Sequence, residues 1–224
     1  MKASIATAAK IALIIAIPLI IMLSSAGLVV FDAALHQELM EKHGVYASLA
    51  GYDVDMLSEE VVKYLKGERD ELASLSFFNE RELSHWEDVR TLADKGRMAF
   101  AIILALAAVS ISAIGFVGIK NGRKVMRSLS EACALGGGIL LLVEVILGLI
   151  FLLSFDAAFL QFHHLFFPQG NFLFNPAVDK IVVLYPQEFF ADCSLAMARN
   201  CVAGSALFIL CGLVMAHWLP KKIP

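Results

Sequence analysis

The sequence predicts a mostly α, polytopic membrane protein with four transmembrane helices, a helical extracytoplasmic cap and both termini cytoplasmic. Three observations carry that fold class. Of 224 residues, 59% are hydrophobic and 17% charged, with a mean hydropathy of +0.75, more apolar than a soluble core of this size requires. Four apolar runs, 11–31, 98–119, 133–155 and 201–219, each approach the roughly 20 helical residues that a bilayer core demands. The basic residues outside the runs, at the N-terminus, between the second and third runs and in the tail, collect on one side. With 6 Pro and 15 Gly the chain is neither disordered nor collagen-like. A formal charge of -3 lacks the basic surface a phosphate partner needs, so no nucleic acid is expected.

Residues 1–31 form the N-terminal tail and transmembrane helix 1. Lys2 and Lys10 ahead of the run, and Ser24-Ser25-Ala26-Gly27 near its end, imitate a signal peptide. The apolar run outlasts a usual h-region of about 7–15 residues, which predicts an uncleaved signal-anchor. Pro18 inside it is tolerable because bundle neighbours can satisfy the freed carbonyl in lipid. Residues 32–97 form the extracytoplasmic helical cap. There His36 to His43 continues from the first span, and Ser58 with Glu59 and Glu60 starts an amphipathic run through Val61, Val62, Tyr64 and Leu65 that Gly67 stops. Asn79 and Glu82 have capping-box spacing and open a helix leading into transmembrane helix 2, 98–119. Leu83, Trp86, Val89 and Leu92 give that helix an apolar face that must pack.

Residues 120–132 form a cytoplasmic basic loop, with Lys120, Arg123, Lys124 and Arg127, and 133–155 form transmembrane helix 3. Gly136-Gly137-Gly138 permits close helix packing and lacks the Lys and Ser of a phosphate loop. Residues 156–200 form a second extracytoplasmic, partly interfacial segment rich in Phe, broken at Pro168 and Gly170. Within it Tyr185-Pro186 starts a short helix through Phe189 and Phe190, while Ile181 to Leu184 fits strand or helix equally. Residues 201–224 form transmembrane helix 4 and a cytoplasmic tail bearing Lys221 and Lys222, with His217 and Trp218 as interface anchors. The segment 32–97 carries eight basic against fifteen acidic side chains, which sets it opposite the basic N-terminus, loop and tail.

Chemistry-bearing side chains are few. Cys133 and Cys211 fall within spans, and Cys193 and Cys201 are too far apart for a C-x-x-C pair, so buried thiols are expected and a membrane thiol-redox role is the weakest reading. His85 has Asp88 at i+3 and Arg81 at i-4, an arrangement in which a carboxylate can fix the imidazole tautomer. His163 and His164 lie just past the third span between Phe residues, where an imidazole is partly desolvated. Adjacent helical residues point about 100° apart, so at most one of them faces inward. His36 and His43 lack zinc spacing and read as solvated cap residues; no metal is expected. Glu144, mid-span, reads as a polar contact inside the bundle, and no G-x-S-x-G nucleophile motif is present.

Three stretches carry a resemblance. Phe78-Asn79-Glu80-Arg81-Glu82-Leu83-Ser84-His85-Trp86-Glu87-Asp88-Val89-Arg90 is the first. Phe162-His163-His164-Leu165-Phe166-Phe167-Pro168 with Asn171-Phe172-Leu173-Phe174 is the second, and Leu184-Tyr185-Pro186-Gln187-Glu188-Phe189-Phe190 the third. In order, side and spacing they resemble the bacterial lipoprotein intramolecular transacylase family, over nearly the whole chain. Phe172 stands where that family's pattern has Trp. The resemblance implies a four-span enzyme of the bacterial cytoplasmic membrane with its active site on the extracytoplasmic face. It implies transfer of the sn-2 acyl chain of a diacylglyceryl lipoprotein to the α-amino group of its N-terminal Cys, giving the lyso form. The two functional histidines map to His85 and His163, with His164 beside it as the alternative.

That chemistry needs no enzyme nucleophile and no cofactor, because amine and ester belong to one substrate and binding brings them together. Histidine acid/base work remains, with Asp88 orienting His85, with Arg81, Arg90 or backbone N–H groups facing the oxyanion, and with Asn171 and His164 in support. Phe162, Phe166, Phe167 and Phe172 hold acyl chains by burial worth about 0.8 kcal/mol per methylene. The partners implied are a diacylated lipoprotein and membrane lipid, with the enzyme a monomer. The competing reading is a non-catalytic tetraspan-type structural or partner-binding protein, which would tolerate loss of either histidine.

Overall fold

The computed structural model describes residues 2–72 and 76–219. Lys221, Lys222 and the Lys2 side chain of the orientation argument lie outside the described residues. The described chain is helical without a strand: α1 (Lys2–Val30), α2 (Ala33–Lys42), α3 (Val45–Ser48), α4 (Val54–Lys66), α5 (Glu80–Val117), α6 (Gly122–Phe166), α7 (Ile181–Leu184) and α8 (Gln187–His217). Four of them, α1, α5, α6 and α8, are long and apolar enough to cross a membrane, since α1 alone extends about 43 Å at 1.5 Å per residue. The four expected spans are there.

Helix boundaries differ from expectation where local capping decides them. α1 does not run into His36: it ends at Val30, and Asp32 starts α2 by accepting the Leu35 N–H at 3.1 Å. α4 begins at Val54 rather than Ser58, because Asp53 accepts the Met56 N–H at 2.9 Å. Its end is as expected, with Gly67 in the left-handed region at φ 82°. The basic loop shrinks to a turn, since Asn121 Oδ1 accepts the Lys124 N–H at 3.1 Å and α6 starts at Gly122. α8 is one helix from Gln187 to His217, because no breaker stands between Phe190 and Cys201. Ile181–Leu184 is a single helical turn. Inside α6 the extended backbone of Ser154 (φ -166°, ψ 91°) separates an apolar stretch from a second stretch, whose Ala157 N–H bonds Ser154 Oγ.

The chain divides into two units. The first comprises Met1–Ser25, Arg97–Leu149 and Ala198–Pro224, and its helices pack through small residues. A Cβ on Gly136 would meet Ile17 Cβ at 2.8 Å, and one on Gly137 the Ser205 carbonyl at 2.8 Å. The Ile14 carbonyl that Pro18 cannot bond also faces Gly136, at 3.2 Å from that Cβ position. Lys10 reaches Glu131 at 2.8 Å. Ile15, Val109, Leu142 and Leu207 are turned outward, as in a bundle whose solvent is hydrocarbon. All four Cys are free thiols.

The second unit comprises Ala26–Gly96 and Ile150–Met197 and closes around its own core. Met40, Val45, Val61 and Leu184 are almost fully buried there, with Trp86, Tyr185 and Phe189. His36 and His43 are not solvated, contrary to expectation. His36 is 5% exposed, donates from Nε2 to the Val29 carbonyl at 3.1 Å, and lies edge-on to Tyr185 and Phe189. His43 and Lys42 both bond Asp192, at 2.7 and 2.6 Å. The apolar face of α2 could be matched to its partner only once α7 and α8 were brought beside it.

Candidate active site

The site begins with the capping box of α5. Glu82 Oε2 accepts the Asn79 N–H at 2.6 Å while Asn79 Oδ1 accepts the Glu82 N–H at 3.0 Å. Glu82 is 1% exposed, and its second oxygen accepts the Ile181 N–H at 2.6 Å, so one carboxylate starts two helices. One turn along, His85 is buried, and its ring meets Phe167 at 4.8 Å and Phe174 at 5.4 Å between centroids.

His163 arrives from the second stretch of α6. Its ring lies 6.1 Å from that of His85 and 23° from parallel. Phe159, Phe162, Phe167 and Phe172 surround it with centroids at 4.3 to 5.6 Å. His163 Nδ1 is 2.8 Å from the Phe159 carbonyl. A carbonyl only accepts, so Nδ1 carries the hydrogen and Nε2 keeps a lone pair for a proton. His164 is exposed, its ring edge-on to Phe172. His85 and His163 both lie outside the apolar membrane runs. Burial lowers the His85 pKa to about 4, opposed chiefly by the Asn171 side chain. Burial also lowers that of His163, opposed by the Phe159 carbonyl. Both imidazoles are neutral at pH 7, the form that accepts a proton.

The matching family model, lipoprotein intramolecular transacylase Lit, spans residues 11–190. The chain belongs to the lipoprotein intramolecular transacylase family. Among solved structures it is similar to the membrane-integral lipoprotein intramolecular transacylase Lit from Bacillus cereus, solved in meso, at 18% identity and a TM-score of 0.79 over 96% of this chain and 97% of that one. A variant of that protein with a histidine replaced by alanine aligns at 17% identity and a TM-score of 0.77, over 96% of this chain and 95% of that one. No curated protein sequence matches the chain.

In this transacylase several side chains have different company from what their spacing suggested. Asp88 does not bond His85. It accepts from Asn171 Nδ2 at 2.7 Å and from Gln169 Nε2. With the Asn171 amide group turned to Asp88, its Oδ1 is left buried with no partner in hydrogen-bonding geometry, as is His85 Nδ1. Arg81 pairs with Asp179 at 2.5 Å, and Arg90 donates to the carbonyls of Arg69 and Asp70 at 2.9 and 3.1 Å. Each guanidinium thus has a partner other than the two imidazoles, while Arg81, with its side chain 49% exposed, keeps further N–H donors. Phe167 and Phe172 are buried against the histidines, whereas Phe162 and Phe166 are exposed. Two clefts of about 240 and 250 Å³, one lined by Asp156 and Glu188 and the other by Tyr64 and Trp86, do not include His85 or His163. Among the described residues no group of His, Cys, Asp and Glu is arranged to hold a metal.

Spacing alone missed Asp179, Gln169 and the burial of Glu82. The capping-box pattern was the one signal for Glu82. Nothing local marked Asp179, which bonds Asn79 and Arg81 at the start of α5 from the stretch between α6 and α7.

Proposed function

We propose that this transacylase moves the sn-2 acyl chain of a diacylglyceryl lipoprotein onto the α-amino group of that lipoprotein's N-terminal Cys, at the extracytoplasmic face, with His85 and His163 handling the protons. The observation that carries the reading is the pair of neutral, near-parallel imidazoles 6.1 Å apart within an aromatic surround. The basic residues at the opposite ends of the apolar runs support the assignment of the face.

The reaction forms one C–N bond and breaks one C–O bond. The α-ammonium, with a reference pKa of about 7.7–8.0, first gives up a proton. Its nitrogen then attacks the ester carbonyl, and the tetrahedral adduct transfers a second proton from nitrogen to the departing glyceryl oxygen. A lone pair on His163 Nε2 suits the first transfer, and the facing His85 suits the second. Because both ends of the reaction lie on one substrate, holding them together supplies the remaining acceleration. The Asp88–Asn171 pair supports His85: Asp88 holds the Asn171 amide group, and the Asn171 side chain is the chief group opposing the effect of burial on the imidazole.

The test is mass spectrometry of a synthetic diacylated lipopeptide incubated with the purified full-length protein. Acyl transfer from glycerol to the amine, lost in His85→Gln and in His163→Gln while both variants stay folded in the membrane, is the expected result. Unchanged product in both variants would reject the two residues, and no product from the unaltered protein would reject the reaction.

A further inference from the structure

We propose that Asp179 is a positioning residue for His85, acting through Arg81 and the ring of Phe174. The proposal rests on the reading of His85 as one of the two reacting imidazoles. Asp179 is 3% exposed, yet fully engaged: Oδ1 accepts Asn79 Nδ2 at 2.9 Å, and Oδ2 accepts the Asn175 N–H at 2.7 Å and an Arg81 N–H at 2.5 Å. These bonds act on Phe174 twice. The Asn175 bond anchors the backbone directly after Phe174, and the Arg81 bond holds a guanidinium 4.8 Å from the Phe174 ring centroid. Phe174 in turn contacts His85, which stands four residues after Arg81 and so on the same face of α5.

Phe174 and Phe167 together keep water from the His85 imidazole, and excluding water disfavours its charged form. The other groups acting on His85 are His163 from α6, Asp88 on its own helix and Asn171 from the loop. None of these changes charge when Asp179 or Arg81 is replaced.

The sign of the effect separates positioning from direct electrostatics. Removing the Asp179 charge would by itself lower the proton affinity of a nearby imidazole, and removing the Arg81 charge would raise it. If both residues act by holding Phe174, either loss lets water in, and the His85 pKa rises in both. The experiment follows the full-length protein in lipid nanodiscs, with 13C-labelled histidine and the His85 signal identified by its loss in His85→Gln. Expected is an upward shift of the titration midpoint, toward the reference value of about 6.5, in Asp179→Asn, Arg81→Met and Phe174→Ala. The acid limb of the transfer rate should move with it in any variant that still turns over.

A downward shift in Asp179→Asn, or no shift in Arg81→Met, overturns the proposal. Should Asp179→Asn not fold, the cycle of Arg81→Met with Phe174→Ala decides. Acting through the ring, Arg81→Met adds nothing once Phe174 is gone; an equal increment in both backgrounds overturns the proposal. The titration needs no substrate. Absence of product from the unaltered protein would therefore sink the reaction while leaving the positioning result intact.

Discussion

The imidazoles of His85 and His163 face each other at 6.1 Å without a hydrogen bond between them. A proton could pass from one to the other only through a third group, and in the proposed reaction the substrate's amine and glyceryl oxygen would be those groups. The pair is made by distant parts of the chain: a capping box aims α5, and the second stretch of α6 brings His163.

His163 and His164 should separate cleanly. General acid/base groups contribute about 10²- to 10⁴-fold, so His163→Gln is expected to lower the transfer rate by at least about 100-fold. His164 is exposed, and His164→Gln should cost less than about tenfold. Initial rates on one diacylated lipopeptide measure both, and the reverse ranking would reassign the second imidazole.

The pH dependence follows from the lowered His pKa values. An imidazole base works in its neutral form, which persists until pH falls through the folded-state value, about 4 for His85. The acid limb of the rate should thus lie below the ordinary histidine value of about 6.5. Stability follows the same sign. The unfolded chain binds more protons than the folded one between about pH 6.5 and 4, so thermal stability should decline across that window as pH falls. His36, buried and likewise lowered, contributes to that decline, and His85→Gln should reduce its slope. A melting temperature that stays level from pH 7 to 4 would contradict both assignments.

Much of this was legible in the sequence, and the remainder has a physical reason for being hidden. Four apolar runs announce four helices because lipid leaves no other way to satisfy the backbone. Asn79, Glu82 and Gly67 act on their own neighbours, so their roles can be read locally. His85 and His163 stood out through the motif stretches that contain them, Phe78 to Arg90 and Phe162 to Pro168. By contrast, His36 reads as a surface residue until Tyr185 and Phe189 cover it. Asp88 pairs with Asn171 and Gln169, Arg81 with Asp179, and Ile181 with Glu82, all across loops whose course no local rule fixes.

Glu82 should prove costly to remove although it touches no reacting group. Its carboxylate satisfies the buried N–H of Ile181 and the part-buried N–H of Asn79, and an unsatisfied buried donor costs about 1–3 kcal/mol. Glu82→Ala should therefore lower stability by about 3 kcal/mol, read from denaturant unfolding followed by Trp fluorescence. A loss below about 1 kcal/mol would mean that water replaces the carboxylate at both donors.

The three consecutive glycines of α6 should respond unequally. A Cβ on Gly137 would stand 2.8 Å from the Ser205 carbonyl and 2.9 Å from Ile209 Cγ1, and one on Gly136 would stand 2.8 Å from Ile17 Cβ, whereas one on Gly138 meets nothing within 4 Å. The first two contacts are closer than packed atoms tolerate, and at Gly137 the obstacle is backbone, which cannot rotate away. Gly137→Leu should therefore push α6 and α8 apart and lower the melting temperature in detergent. Gly138→Ala occupies open space and gains the helix preference of Ala over Gly, about 1 kcal/mol, so it should leave the melting temperature unchanged or raise it. Equal destabilisation by both changes would mean that helix contact on this face of α6 is not governed by Gly137.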